Sequence, residues 1–201
     1  MCYTLFAVMV ASQLTQLSDQ MTVARSLLVA LDADCGDHEG LRKLVALAPL
    51  LVREFEAIMT DPRTSSNHLA GLYDIMRAAK VNPKPFLKLA LRDLSHADAA
   101  VRHCASDFAR NAGGGPEFAA PLLMMILHDP NPSAAGAAMR ALGKVGDEGT
   151  VVALEHMIRF GYGKQDTPEQ AKAVAKALGD KRDEIKARLA AVAKPAPAPP
   201  K

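Results

Sequence analysis

The chain has no tryptophan, and aromatics of all kinds make up 4% of its 201 residues. β-Sandwiches and barrels fill their pleated surfaces with aromatic and β-branched side chains, so this scarcity argues against them. Cysteine is scarce as well: Cys2, Cys35 and Cys104 form neither an even disulfide framework nor a CxxC pair for a metal. Cys104 occupies an alanine-like slot beside Ala105 and is expected to be a small buried residue; a reducing compartment is the easier fit. A dominant charge is missing too. With 24 basic and 22 acidic residues the formal charge is +2, which supplies no global field for nucleic acid or an anionic membrane.

Apolar residues make up 49% of the chain, ample for one sizeable core. The candidate core is mostly Ala, Leu, Val and Met, which suits close helix packing, so the expected class is all-α. Ala7, Val10, Leu14, Leu17, Met21, Ala24, Leu28 and Leu31 keep a 3-4 spacing, which predicts one long amphipathic helix over 3–31 and an exit loop over 32–40. The run Leu5–Ala11 is too short to span a bilayer. It also lacks the preceding basic residues of a secretory h-region. The expected location is therefore cytoplasmic, with an exported or periplasmic protein as the alternative if 1–12 is a leader.

Gly113, Gly146 and Gly179 stand 33 residues apart, and four apolar columns precede them at the same interval. These are Leu72/Ala105/Ala138/Ala171, Ile75/Phe108/Ala141/Val174, Met76/Ala109/Leu142/Ala175 and Ala79/Ala112/Val145/Leu178. A fixed period of this size marks stacked repeats. A second stripe, Leu87/Ala120/Ala153, Leu91/Met124/Met157 and Leu94/Leu127/Phe160, predicts a helix A ahead of each helix B. The three glycines suit left-handed helix ends. Asp129-Pro130-Asn131-Pro132 breaks the chain between helices. Thr167-Pro168-Glu169-Gln170 reads as an N-cap, a proline at the first helical position and a capping box. Upstream, Leu41–Met59 predicts one helix and Asn67–Lys80 the next. Downstream, Asp180 is expected to cap a final helix over 181–193, which shields the last repeat. The expected organisation is a helical cap over 1–40, a repeat domain over 41–194 and a Pro/Ala-rich tail over 195–201.

The segment Leu94-Ser95-His96-Ala97-Asp98-Ala99-Ala100-Val101-Arg102-His103-Cys104-Ala105 resembles the turn and second-helix start of bacterial HEAT-like repeats. Leu127-His128-Asp129-Pro130-Asn131-Pro132 through Ala141-Leu142-Gly143-Lys144-Val145-Gly146 resembles their turn and closing Leu-Gly-x-Leu-Gly, with Ala134-Ala135 where the family has Val-Arg. The resemblance covers 83–179 well and 41–80 loosely. It implies a right-handed α-α superhelix of about four helical hairpins, used as a scaffold that binds proteins. Without the Arg102-type residue, stacking of the third copy is expected to rest on apolar contact.

Several clusters of polar residues carry ligand or catalytic types. Asp32, Asp34, Cys35, Asp37, His38 and Glu39 carry metal-ligand types, but Gly36 and Asp37 stand out of order for an EF-hand, and Asp37 and Glu39 suit a helix start. Asp34, Asp37, His38 and Glu39 stay as weak metal candidates. HEAT-like di-iron hydroxylases use several His-Glu pairs, and only His38-Glu39 has that order here. Alkyl-base glycosylases need aromatic stacking and a basic track, which the composition denies. Gly113-Gly114-Gly115 follows a helix and lacks the Gly-Lys-Ser/Thr of a phosphate loop. Ser106, Asp107 and His103 share one short helical segment and do not assemble a triad.

The resulting expectation is a non-enzymatic binding module with no cofactor, whose partner is a protein with acidic and apolar features and not a nucleic acid. Arg102, Asp107, Arg110, Arg140, Lys144, Lys172 and Lys176 are the expected contacts on a concave wall of B helices. His96, Asp98, Asp129 and Asn131 form a second, turn-edge candidate. The alternatives are a repeat-based enzyme, metal-dependent or similar to phycobilin lyases, and a regulatory subunit of an enzyme.

Overall fold

A computed structural model of the chain describes residues 19, 20, 22, 23, 26, 38–161 and 167–193. The described residues are all-α, with nine α-helices, three short 3-10 turns and no strand. The five described positions before residue 38 are helical, and the rest of the expected long N-terminal helix lies outside the described residues, as do Cys2, Cys35 and the tail from 194. The chain divides into two compact units, 1–89 and 90–201.

In the first unit, α1 (His38–Leu47) passes through a 3-10 turn (Ala48–Leu50) into α2 (Val52–Thr60), and α3 (Ser66–Ala78) follows. The single helix expected over 41–59 is thus two. Pro49 is the reason, since it has no amide to donate and disfavours helical geometry in Ala48 before it. Ser65 caps α3 by accepting from the His68 amide at 3.2 Å. Leu44, Leu51, Phe55, Met59, Leu72 and Tyr73 are buried at the core of this unit.

α3 ends in a Schellman turn. Val81 N donates to Met76 O at 3.0 Å, and Lys80 adopts φ 51°, a left-handed conformation in which a Cβ is strained. Lys80→Gly removes that strain and should stabilise the chain by about 1 kcal/mol, read as a raised thermal midpoint.

α4 (Leu87–Asp93) leads from the 3-10 turn Lys84–Phe86 into the second unit. There follow α5 (Ala99–Ala112), the turn Pro116–Phe118, α6 (Ala119–His128), α7 (Pro132–Val145), α8 (Glu148–Phe160) and α9 (Pro168–Ala193). α5 packs most extensively on α7, α6 on α7, and α9 on α8 and α7. Of the B-helix columns, Leu72, Ile75 and Met76 are buried in the first unit, and Ala105/Ala138, Phe108/Ala141 and Ala109/Leu142 in the second, whereas the last members Ala171, Val174 and Ala175 are half-buried, as are Ala79 and Ala112 of the fourth column. Cys104, beside Ala105, is half-buried rather than buried.

The A-helix stripe needs correcting. Met124 is 56% exposed and Phe160 65% exposed, although both stand in expected core columns. The buried positions are Phe86/Phe118, Ala90/Leu122, Asp93/Met125 and Leu94/Ile126, and then Thr150, Val151, Leu154 and Met157. The first four pairs are 32 residues apart instead of 33, and Thr150, Val151, Leu154 and Met157 follow Phe118, Ala119, Leu122 and Met125 at the same interval. The A helices therefore slip by one residue per copy against the B helices, a slip taken up in the connections.

The glycine column also splits. Gly113 closes α5 at φ 68°, with Gly114 N donating to Ala109 O at 3.0 Å, as expected. Gly146 follows α7 at φ −58°, so it is not left-handed. Gly179 lies inside α9, and Asp180 begins no new helix. A lone glycine costs a helix about 1 kcal/mol, too little to end one held on both sides. Here Leu178 and Ile185, two turns apart, are both fully buried, and Lys186 reaches Glu155 of α8 at 2.6 Å.

Candidate functional site

α5 and α7 start from polar caps that fix where their outer side chains stand. Asp98 accepts from Ala100 N at 2.7 Å to begin α5, and Asn131 accepts from Ser133 N at 2.9 Å and Ala134 N at 3.1 Å to begin α7. His96 Nδ1 accepts from Asp98 N at 3.0 Å, which leaves the ring proton of a neutral imidazole on Nε2. Three of the four turn-edge candidates are therefore occupied in shaping turns.

The fourth, Asp129, meets the first of the concave-wall candidates. Arg102 Nε donates to Asp129 Oδ2 and its Nη2 to Oδ1, both at 2.6 Å, while Nη1 donates to the carbonyls of His96 at 2.7 Å and Ala97 at 2.8 Å. Asp129 Oδ1 also accepts from Asn131 N at 2.9 Å. The two side chains are 12% and 2% exposed, so this forked pair is a bolt between consecutive turns. The Arg102 hydrogen bond, with the Asn131 amide, holds the Asp129 carboxyl below the usual range, and the same bond raises Arg102. One copy on, Ala135 stands in place of Arg102, and polar contacts come from elsewhere. Lys144 approaches Glu184 at 3.6 Å and Arg188 donates to the Gly146 carbonyl, so stacking there does not rest on apolar contact alone. The Glu184 carboxyl is held below its usual range first by Lys181, at 2.6 Å, and then by Lys144.

Of the remaining candidates, Asp107, Arg110 and Arg140 form one charged cluster. Asp107 and Arg140 hold the same position on α5 and α7, one period apart, and helix packing makes them neighbours at 3.5 Å. Arg110 Nη2 lies 3.7 Å and His103 Nε2 3.4 Å from the same carboxylate. Lys144, Lys172 and Lys176 are exposed, with Lys144 near Glu184 and Lys172 beside the end of α8. Ion pairs this long and this accessible are weak and readily exchanged.

Two features had no clear signal in the sequence. Ser133 Oγ lies 2.9 Å from His103 Nδ1, so Ser133, His103 and Asp107 make a polar chain across two helices. By residue type it resembles an acyl-transfer triad, but its carboxylate is shared with two arginines, and the amides of Ser133 and Ala134 are spent on Asn131 instead of facing an oxyanion. The second feature is an open cleft of about 720 Å³ between the turn after α4 and the outer side of α6, walled by Leu94, Ala120, Pro121, Met124 and Met125 with His96 and His128 on its rim. Only the 32-residue phase of the A helices exposes Met124 there.

Of the weak metal candidates, Asp34 and Asp37 lie outside the described residues, and Glu39 pairs with Lys43 at 2.8 Å. Among the described residues no group of three or more His, Cys, Asp or Glu is placed to hold a metal ion, and no helix is long and apolar enough to cross a membrane. No family model, no curated protein and no solved structure matches the chain.

Proposed function

We propose that the chain is a protein-binding scaffold built from HEAT-like repeats, stacked as a right-handed α-solenoid and working without a cofactor. The observation that carries this reading is the contact of Asp107 with Arg140. Positions one period apart on α5 and α7 are neighbours in space, which is what stacked repeats require. Where α5 and α7 meet, Arg110 and Arg140 share the single carboxylate of Asp107, and a protein partner with acidic and apolar features complements that cluster. Arg102 and Asp129 are left out of the contact set because their hydrogen-bonding atoms are engaged with one another and with nearby backbone.

The test is affinity capture with crosslinking from the source cell. Alanine at Arg140, Lys144 and Lys176 together should weaken capture at least several-fold while leaving the helical melt within about 1 kcal/mol, since exposed pairs contribute little to folding. Undiminished capture by that triple variant removes these cations from the reading.

A further inference from the structure

The centre of the charged cluster holds a carboxylate that belongs to the chain itself. Asp107 stands between Arg110 and Arg140, 3.7 Å from one guanidinium and 3.5 Å from the other, with its side chain 23% exposed. Neither approach is the short, forked geometry that Arg102 and Asp129 reach at 2.6 Å, so the two arginines keep donor capacity that Asp107 does not satisfy. Beside them α7 has a second irregularity. Gly136 sits in the helix interior, where glycine costs about 1 kcal/mol relative to alanine. Neither backbone nor packing requires it: a Cβ there would meet only Arg140 Nη1, at an ordinary 3.7 Å. One turn beyond Gly136 lies Arg140 and one turn before it Ser133, whose hydroxyl meets His103. Gly136 therefore leaves a half-buried piece of helix backbone without a Cβ beside the Arg140 guanidinium.

We propose that this place takes an acidic segment of a protein partner, whose main chain crosses close over Gly136 while one of its Asp or Glu side chains replaces Asp107 between Arg110 and Arg140. Asp107 is then an internal competitor: it neutralises the arginines when the partner is absent and gives them up to a carboxylate of better geometry. This rests on the scaffold reading and adds to it the point of closest approach and the sign of one residue's effect. Exchange of one carboxylate for another keeps the charge balance of the arginines, so the step requires little more than the breaking of exposed, weak pairs.

The sign separates this from an ordinary contact role. Binding of a short fluorescein-labelled peptide rich in Glu and Leu, with its Gln counterpart as control, is followed by anisotropy on the full chain at low and high salt. Wild type should prefer the Glu peptide and lose it as salt rises. Arg140→Ala should weaken binding roughly five- to tenfold, and Asp107→Asn should tighten it roughly three- to tenfold. Gly136→Leu should weaken binding by a similar factor with an unchanged or raised melting midpoint, which rules out misfolding as the cause. Equal binding of both peptides, or of neither, overturns the proposal. So does an Asp107→Asn variant that binds no more tightly than wild type. If that result came together with loss of source-cell capture in the Arg140/Lys144/Lys176 variant, the scaffold reading would stand and the competitor role alone would fall.

Discussion

Asp129→Ala is expected to lower the unfolding free energy by about 3–5 kcal/mol, the range for breaking a buried pair and leaving the other charge behind. The loss comes less from the bond than from what remains. Arg102 cannot shed its proton, its side chain is 12% exposed, and it is anchored by two backbone carbonyls, so it cannot swing out to water without giving those up as well. Asp129 also accepts from the Asn131 amide, and Asn131 caps α7, so the same change loosens the start of that helix. Chemical denaturation with an unchanged m-value measures the effect. Replacing both partners by apolar side chains, Arg102→Met with Asp129→Leu, should recover most of it, because no orphaned charge is then left. A double variant no more stable than Asp129→Ala would show that the turn needs the carboxylate for its own geometry.

Acid reads the same bond. The Asp129 carboxyl is held below its usual value of 3.8, principally by the Arg102 hydrogen bond. Its contribution is thus fully present above the unfolded value and is lost as pH falls from there through the lower folded one. In Arg102→Ala that share of the acid sensitivity should disappear.

Gly146→Ala should cost about 1–3 kcal/mol, the range for forcing an extra methyl into a packed site. Backbone strain plays no part, because φ is −58°. The Cβ would fall 2.7 Å from Ile185 Cδ1, 2.8 Å from Leu142 O and 3.1 Å from Thr150 Cγ2, so α9, α7 and α8 all meet it. Ile185→Val removes one of those atoms. In the Gly146→Ala background it should therefore cost less than in the native chain, a coupling that a double-mutant cycle from urea melts resolves. Strictly additive losses would mean that the Leu142 carbonyl, not Ile185, sets the limit.

The all-α class and the B helices could be read from the residues, since Ala, Leu and Met columns at a constant interval need no knowledge of the partner they pack on. The A helices could not be phased the same way. An apolar residue reads alike whether it faces the core, as Leu122 does, or lines an open cleft, as Met124 does, and only contact with neighbouring helices decides. Glycine was ambiguous for a similar reason: Gly113 serves conformation, Gly146 serves close approach, and nothing in the structure requires Gly179. Arg102 stood out as a candidate because it is charged and helical, but its partner lies 27 residues away in the next turn, beyond what periodicity reports. The charged cluster was only partly legible, with the cations visible in the sequence and the sharing of Asp107 between two of them not.

The one-residue slip between the two helix sets bears on how such a chain could be lengthened or shuffled. Copies with identical connections would be interchangeable parts, and an array of them could be cut and rejoined anywhere. Here each connection suits one place. Exchanging the link after α3 for the link after α5 would shift the next A helix by one residue and rotate its buried side by about 100°. Leu122 would turn outward and a neighbour inward, so a hairpin moved by recombination has to travel with its own links.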